Sequence, residues 1–414
     1  MKILMLQGYY EPEVVSGLYL VTNLIDELAK FNHKVDVVTP IPTRGISSDI
    51  RDKYKNIKLE KKLGGSIKIH RYWLPKENKN NLIRAIRYLL GGILHIIKSL
   101  SIESDIILIN STPPTNGIVA TIVKKIKKIP VVYILQDIFP DSLLTSNISS
   151  KGSIIWKIGR WIEKITYNNV DKIIVVSEDF KLNLLNKNVP KEKIEVVYNW
   201  VDEDIVKPVK KKENQLIKDL GLNYNDFYVV YAGNLGNAQN IEIILETAKL
   251  TKEQKDIKYL IFGNGVQEDV YKEMARNMNL KNIAFYPLQP YEKVSEVYSL
   301  GDVSIVSCKP GFGGSAMPSK TWSIMSTGTA VIANFDEGTE LQRIIDENKV
   351  GIFIKAGDVN QFKDAILKLH KNKNMCNDMG RNGRKYILNN LSRQSQTSKY
   401  IEILKSIKGE LDYV

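Results

Sequence analysis

The sequence predicts an α/β protein made of two doubly wound parallel-sheet domains in tandem, and three observations carry that expectation. Short Val/Ile-rich runs recur along the chain without apolar–polar alternation, as strands buried on both faces require. Segments of helical period separate those runs. At 414 residues the chain is long enough for two domains, each with its own core.

In the first series, residues 2–6, 34–39, 105–110, 131–136 and 172–177 read as strands. Residues 18–31, 82–100 and 115–128 read as the helices between them. A second series begins with strands at 228–232, 258–262 and 303–307 and continues at 330–333 and 351–354, again with helices between. The pattern breaks near 199–212, where Pro208 and the run Lys210, Lys211, Lys212 interrupt it. Domains of residues 1–200 and 201–390 follow. The end of the chain, from 391 to about 407, is helical in pattern, and packing of 391–414 back on the first domain is one option. In open α/β sheets ligands sit at the carboxyl ends of the strands, so tandem domains can present two substrates across a cleft.

Composition narrows the class. The chain is 43% hydrophobic and 25% charged, as a globular protein is. Its two cysteines, Cys308 and Cys376, lack metal-ligand spacing and do not form a disulfide framework. No secretory signal opens the sequence and no apolar run reaches about 18 residues, so the cytoplasm is the default compartment. The net charge of +13 is uneven: residues 1–200 hold 30 Lys/Arg against 19 Asp/Glu, and residues 201–414 hold 29 against 27. The basic half calls for an anionic partner, for which nucleic acid and an anionic membrane both qualify. No helix-turn-helix, RNA-binding or zinc motif accompanies the charge, which argues against nucleic acid. None of the four histidines, His33, His70, His95 and His370, pairs with another at metal-ligand spacing.

The most informative segment is 307–333, SCKPGFGGSAMPSKTWSIMSTGTAVIA. A strand-like run meets a loop containing Gly313 and Gly314. Pro318 and Ser319 then start a short helix that ends near Gly328. Glycines let a backbone approach a ligand closely. A helix N-terminus suits an anion, and Lys320 adds a full charge in the first turn. A diphosphate site and an ordinary βα loop both fit the pattern.

Two stretches bear on the partner. In 154–165 the apolar Ile154, Ile158, Trp161, Ile162 and Ile165 form a helical stripe; Lys157, Arg160 and Lys164 share another face, and Trp156 adds an aromatic. In 82–100 Arg84, Arg87, His95 and Lys98 line one side of a broad apolar stripe. Both fit a basic amphipathic helix lying in a bilayer surface. Both also fit a core-packed helix with a solvated basic face.

The ordered motifs EPEVVSG (11–17), NHKVDVVT (32–39), VVYNWVD (196–202), YAGNLG (231–236), FGNG (262–265), NIAFYP (282–287) and MPSKTWSIMSTGTAVI (317–332) resemble those of glycosyltransferase family 4 over nearly the whole chain. The resemblance implies the GT-B fold, two Rossmann-like domains facing a cleft. QDIFPDS (136–142), NWVD and MPSK look most like a branch that builds bacterial surface polysaccharides, including O-antigen N-acetyl-fucosamine transferases. It implies a metal-independent, retaining enzyme without a cofactor. Such an enzyme moves a sugar, N-acetylated and UDP-linked, to a polyprenyl-diphosphate-linked saccharide at the inner face of the cell membrane. A GT-B-fold UDP-N-acetylglucosamine epimerase and a basic nucleic-acid-binding protein are the alternatives.

The sequence departs from the family's pattern at several positions. Two glutamates eight positions apart fall on Ser315 and Ser323. The usual Arg and Lys of the donor domain fall on Asn234 and Gln239. Lys320 therefore becomes the cation expected at the diphosphate, and Ser323 a weaker partner for the ribose. Donor contacts are also expected from Gly236, Gly263, Gly265 and Ser319. Gly17 is read either as a backbone donor toward the phosphate or as a plain βα turn. Asp137, at the carboxyl end of a strand, is read as orienting the acceptor hydroxyl or as capping a turn, with Asp141 as its rival. Asn199 and Asp202 mark the hinge.

Overall fold

The computed structural model describes residues 1–15, 17–77, 80–145, 150–315 and 317–411. It divides into two units. The first comprises Met1–Tyr198 together with the C-terminal stretch from Thr397, and the second Asn199–Gln396.

The first unit is built on eight strands: β1 (Lys2–Leu6), β2 (Lys34–Pro40), β3 (Leu59–Lys62), β4 (Ile67–Tyr72), β5 (Ile106–Asn110), β6 (Val131–Leu135), β7 (Lys172–Val175) and β8 (Ile194–Val196). They form one sheet in the order β3-β4-β2-β1-β5-β6-β7-β8. Only β3 runs antiparallel, against β4. Central strands are apolar throughout because both faces are covered; Ile3, Leu4, Met5 and Leu6 of β1 are fully buried. Each such side chain contributes about 1.5–3 kcal/mol. The C-terminal stretch is tied to this unit, with the Lys408 ammonium 3.6 Å from the Asp105 carboxylate.

One face of the sheet carries a layer of three helices, Asn81–Leu100, Asn116–Lys127 and Ile154–Asn169, with the second touching both others. The middle helix approaches the third so closely that a Cβ on Gly117 would lie 1.9 Å from Thr166 Oγ1. The outer helices sit inside out. Asn81–Leu100 buries Arg87, Gly91, His95 and Ser99 and exposes Ile86, Leu89, Ile93 and Ile97. Ile154–Asn169 buries Gly159, Glu163 and Thr166 and exposes Ile154, Ile158 and Trp161.

One residue read as membrane-facing, Arg87, is therefore corrected, and two others, Arg160 and Trp156, are only partly exposed. Arg87 is buried, with its guanidinium on Pro75 O and, at 3.1 Å, on Thr43 Oγ1. Arg160 is held inward by the buried Glu163 carboxylate, which also pairs with Lys187 at 2.6 Å. Trp156 is partly buried, with its indole N–H enclosed. Arg84, Lys157, Trp161 and Lys164 are exposed.

The second unit holds β9 (Phe227–Asn234), β10 (Ile257–Asn264), β11 (Ile283–Tyr286), β12 (Val303–Ser307), β13 (Ala330–Phe335) and β14 (Gly351–Lys355). All are parallel, in the order β11-β10-β9-β12-β13-β14. Phe227, Tyr259, Ile332 and Phe362 lie in a shared apolar core. Among the described residues no helix is long and apolar enough to cross a membrane.

Candidate active site

The glycine segments at the carboxyl ends of β9 and β10 meet, while Gly313, after β12, lies against Phe335 and Asp336 at the end of β13. Gly263, near the end of β10, pairs with Gly233 of β9, and Gly265 opens the turn that follows β10. A Cβ on Gly263 would come within 2.3 Å of Gly233 O, and one on Gly265 within 2.4 Å of Leu235 O. Both are accounted for by the approach of two backbones. Gly236 is buried and donates its N–H to Gln239 Oε1 at 3.2 Å, closing the loop after β9, while Asn234 at its start is exposed.

Lys320 begins a helix of only seven residues, Lys320–Ser326. So short a helix has a weak terminal field, and the positive charge falls to the side chain. The Lys320 ammonium reaches β9 and donates to Tyr231 Oη at 3.0 Å, 4.1 Å from the ring centroid. Tyr231 Oη in turn donates to Asn234 O at 2.7 Å, so the phenol is neutral and its lone pair faces the ammonium. Among the described residues no carboxylate pairs with Lys320. The residue keeps part of its surface, but burial around the ammonium brings its pKa down from 10.5 to about 8. A crowded cation without a counter-charge is a site for an anion.

Gly233 makes the space. Its φ is +145°, and a Cβ there would lie 2.7 Å from Lys320 Nζ. Gly233→Ala should displace Lys320 and strain the backbone by about 1–3 kcal/mol. Affinity for a diphosphate should fall at least tenfold and Tm by several degrees, read by calorimetry and a melting curve.

The other expected donor contacts are less convergent. Asp336 accepts from Gly311 N–H at 2.9 Å and from Gly313 N–H at 2.7 Å, so the Gly313 amide is already engaged. Gly314 and Ser319 are exposed, and Ser323 is partly buried. The side chain of Ser315 lies outside the described residues. Asp202 accepts from Ile205 N–H at 3.3 Å and pairs with Arg393 at 3.3 Å, a fastening within the second unit that begins at Asn199.

In the first unit Gly17 sits at the N-cap of Leu18–Lys30 with φ +75°, a conformation that by itself calls for glycine. Asp137 follows β6 beside Tyr133, Phe139, Glu163 and Tyr167. It keeps an open side, and its Oδ2 accepts from Ser142 Oγ at 2.9 Å. The side chain is exposed, and crowding by the protein on its inner side pushes its carboxyl only in the upward direction, against the Ser142 bond. Asp141 is committed to Lys187, 2.7 Å away, and is better explained as structural.

A small hollow, open to solvent, lies at the carboxyl ends of β1, β2, β4 and β5; its walls include Gly8, Tyr9, Arg87, Tyr88, His95 and Asn116. Burial lowers the His95 pKa to about 4, so the ring is neutral and Arg87 supplies the charge. Tyr231, Gly233 and this hollow were not anticipated from the sequence. Among the described residues no cluster of three or more His, Cys, Asp or Glu side chains could hold a metal.

Residues 19–205 match the family model "Glycosyltransferase Family 4", and residues 212–386 match "Glycosyl transferases group 1". The chain belongs to the family 4 glycosyltransferases. This glycosyltransferase is 24% identical over 280 residues to "Probable glycosyltransferase WbjE" of Pseudomonas aeruginosa, covering 67% of this chain and 70% of that one. It is 22% identical over 361 residues to "Putative colanic acid biosynthesis glycosyl transferase WcaI" of Escherichia coli, covering 84% and 86%. Its GT-B fold is shared with sucrose-phosphate synthase from Thermosynechococcus elongatus, at a TM-score of 0.79, 15% identity and 99% coverage of both chains. Anabaena Alr3699/HepE, solved in complex with UDP-glucose, superposes at a TM-score of 0.71 with 15% identity, covering 98% of this chain and 100% of that one.

Proposed function

We propose that this glycosyltransferase moves a sugar, with retention, from a UDP-sugar to a lipid-linked saccharide in bacterial surface-polysaccharide assembly, at the inner face of the membrane. The observation that carries the donor half is the uncompensated Lys320 ammonium on Tyr231, among glycine turns at the strand ends. The UDP-glucose complex of HepE supports the base, and the colanic-acid name of WcaI supports the pathway class. The preference for an N-acetylated sugar rests on the motif resemblance alone.

In this reading the bond between the sugar's anomeric carbon and the diphosphate oxygen breaks as the acceptor oxygen bonds to the same face of the sugar. Lys320 offsets the charge that grows on the diphosphate, an interaction stronger in the transition state than before it. The departing phosphate oxygen takes the acceptor's proton, and Asp137 orients the acceptor hydroxyl. The hollow with Tyr9, Arg87 and His95 is the candidate seat for the acceptor's polar part. No resident metal is invoked.

The test is direct. Purified protein is incubated with UDP-N-acetylhexosamines and a short prenyl-diphosphate saccharide, and the product is read by mass spectrometry and NMR. The reading expects UDP release and an anomeric configuration equal to the donor's. An inverted product, or turnover of GDP-sugars in place of UDP-sugars, would reject it.

A further inference from the structure

The three-helix layer of the first unit presents an outer surface that a water-facing layer does not need. Leu89, Ile93 and Ile97 are 61%, 53% and 56% exposed, and Ile154, Ile158 and Trp161 are 77%, 52% and 57% exposed. An amphipathic helix normally turns such a stripe toward the core. Here the fully buried positions are mostly small or polar, with Tyr167 the large exception and Leu94 and Ile96 packed partly on the core, and the charged ones have partners that hold them there. Arg87 is bonded to Pro75 O and Thr43 Oγ1, and Glu163 to Lys187 and Arg160. The inverted orientation is thus built into the fold. Apolar residues clustered this way mark an interaction surface, unlike the scattered exposed leucines of an ordinary surface.

The charge on the same layer selects the occupant. Each of the three helices carries three Lys or Arg side chains. Their one carboxylate, Glu163, is buried. Arg84, Lys98, Lys125, Lys157 and Lys164 are exposed on the same helices as the aliphatic stripes, and Ile126 of the middle helix is exposed as well. Aliphatic side chains and cations on the same helices, with an exposed tryptophan, match the boundary between headgroups and acyl chains of an anionic bilayer.

We propose that the outer face of this layer inserts shallowly into an anionic phospholipid surface, with the aliphatic stripes in the acyl boundary and the lysines at the phosphates. The proposal rests on the function proposed above for the presence of a membrane and deepens it by naming the surface. It narrows the basic amphipathic helices read at 82–100 and 154–165. Arg160 is engaged with Glu163, so insertion of the aliphatic stripes carries the binding and salt weakens it only in part.

The full chain is sedimented with vesicles of phosphatidylglycerol and phosphatidylcholine, and with phosphatidylcholine alone. Wild type should bind the anionic vesicles, and brominated lipid should quench Trp161, a signal removed in Trp161→Phe. The pairs Leu89→Ser with Ile93→Ser, and Ile154→Ser with Ile158→Ser, should each bind at least tenfold less. Their melting curves should hold, because the side chains replaced are exposed. Lys157→Glu with Lys164→Glu should also bind at least tenfold less. Wild type that stays in the supernatant at low salt overturns the proposal. So do aliphatic variants that bind like wild type. So does a wild-type dimer in solution that Leu89→Ser with Ile93→Ser dissolves, since the face would then join two copies. UDP affinity is measured on the same samples. Vesicle binding without UDP binding would count against the donor site alone, and UDP binding without vesicle binding against this surface alone.

Discussion

Replacing Lys320 by Met should raise the Kd for UDP at least a hundredfold while the fold persists. The ammonium is a full positive charge beside the end of β9 that no carboxylate among the described residues pairs with, and its partner is a neutral phenol. A hundredfold corresponds to about 2.7 kcal/mol, within the range for a charge-assisted bond to an anion. The same change should stabilise the unliganded protein at neutral pH. A lysine whose folded-state pKa is lowered from 10.5 to about 8 binds its proton less well folded than unfolded. Stability therefore rises with pH between those values, and below about pH 8 the buried charge carries its full penalty. Discounted for the surface that Lys320 keeps, the gain is about 1–2 kcal/mol. Calorimetric titration with UDP and a melting curve check both halves. Unchanged UDP affinity would remove Lys320 from the site.

Asp137→Asn should lower kcat by about 10²-fold or more with little effect on UDP affinity. The carboxylate stands at the carboxyl end of β6, and the nucleotide contacts are assigned to the other unit. Because crowding on its inner side raises its pKa, activity should fall on the acid side at a higher pH than an ordinary aspartate would give. The variant should lose that acid limb. If Asp137→Asn keeps full turnover, the bond from Ser142 is the whole role of Asp137, a turn cap after β6.

Much of the fold was legible because buried parallel strands are written as unbroken apolar runs. The runs at 2–6 and 303–307 coincide with β1 and β12, and those at 34–39 and 131–136 differ from β2 and β6 by one residue. β3 was not legible: LEKK is a partly charged edge strand in antiparallel pairing, with no apolar run to announce it. β8, three residues long, was missed for the same want of length.

The site was legible in part. Lys320 stood out by its place before a helix, but its partner did not, since Tyr231 reads as one more strand residue. Gly233 was passed over because its need for glycine comes from an ammonium 87 residues away in sequence. The helices 81–100 and 154–169 show the deeper limit. Periodicity finds two faces but does not say which is buried. Here Arg87, His95 and Glu163 are enclosed, and the aliphatic stripes are left outside.

The central claim is that Lys320 supplies the charge that holds the donor's diphosphate, and the pH dependence of UDP binding tests it most directly. Calorimetric titrations run from pH 7 to pH 9.5 with wild type and Lys320→Arg, so that titration of the nucleotide's own phosphate and uracil is common to both and the difference between them reports the lysine. Binding of the diphosphate requires the protonated lysine, which in the free protein is lost near pH 8. Wild-type affinity should hold to about pH 8, then fall by up to tenfold per pH unit with proton uptake on binding. Lys320→Arg, which keeps its charge, should show no such fall. Wild-type affinity that is flat to pH 9.5, without proton uptake, would contradict the account.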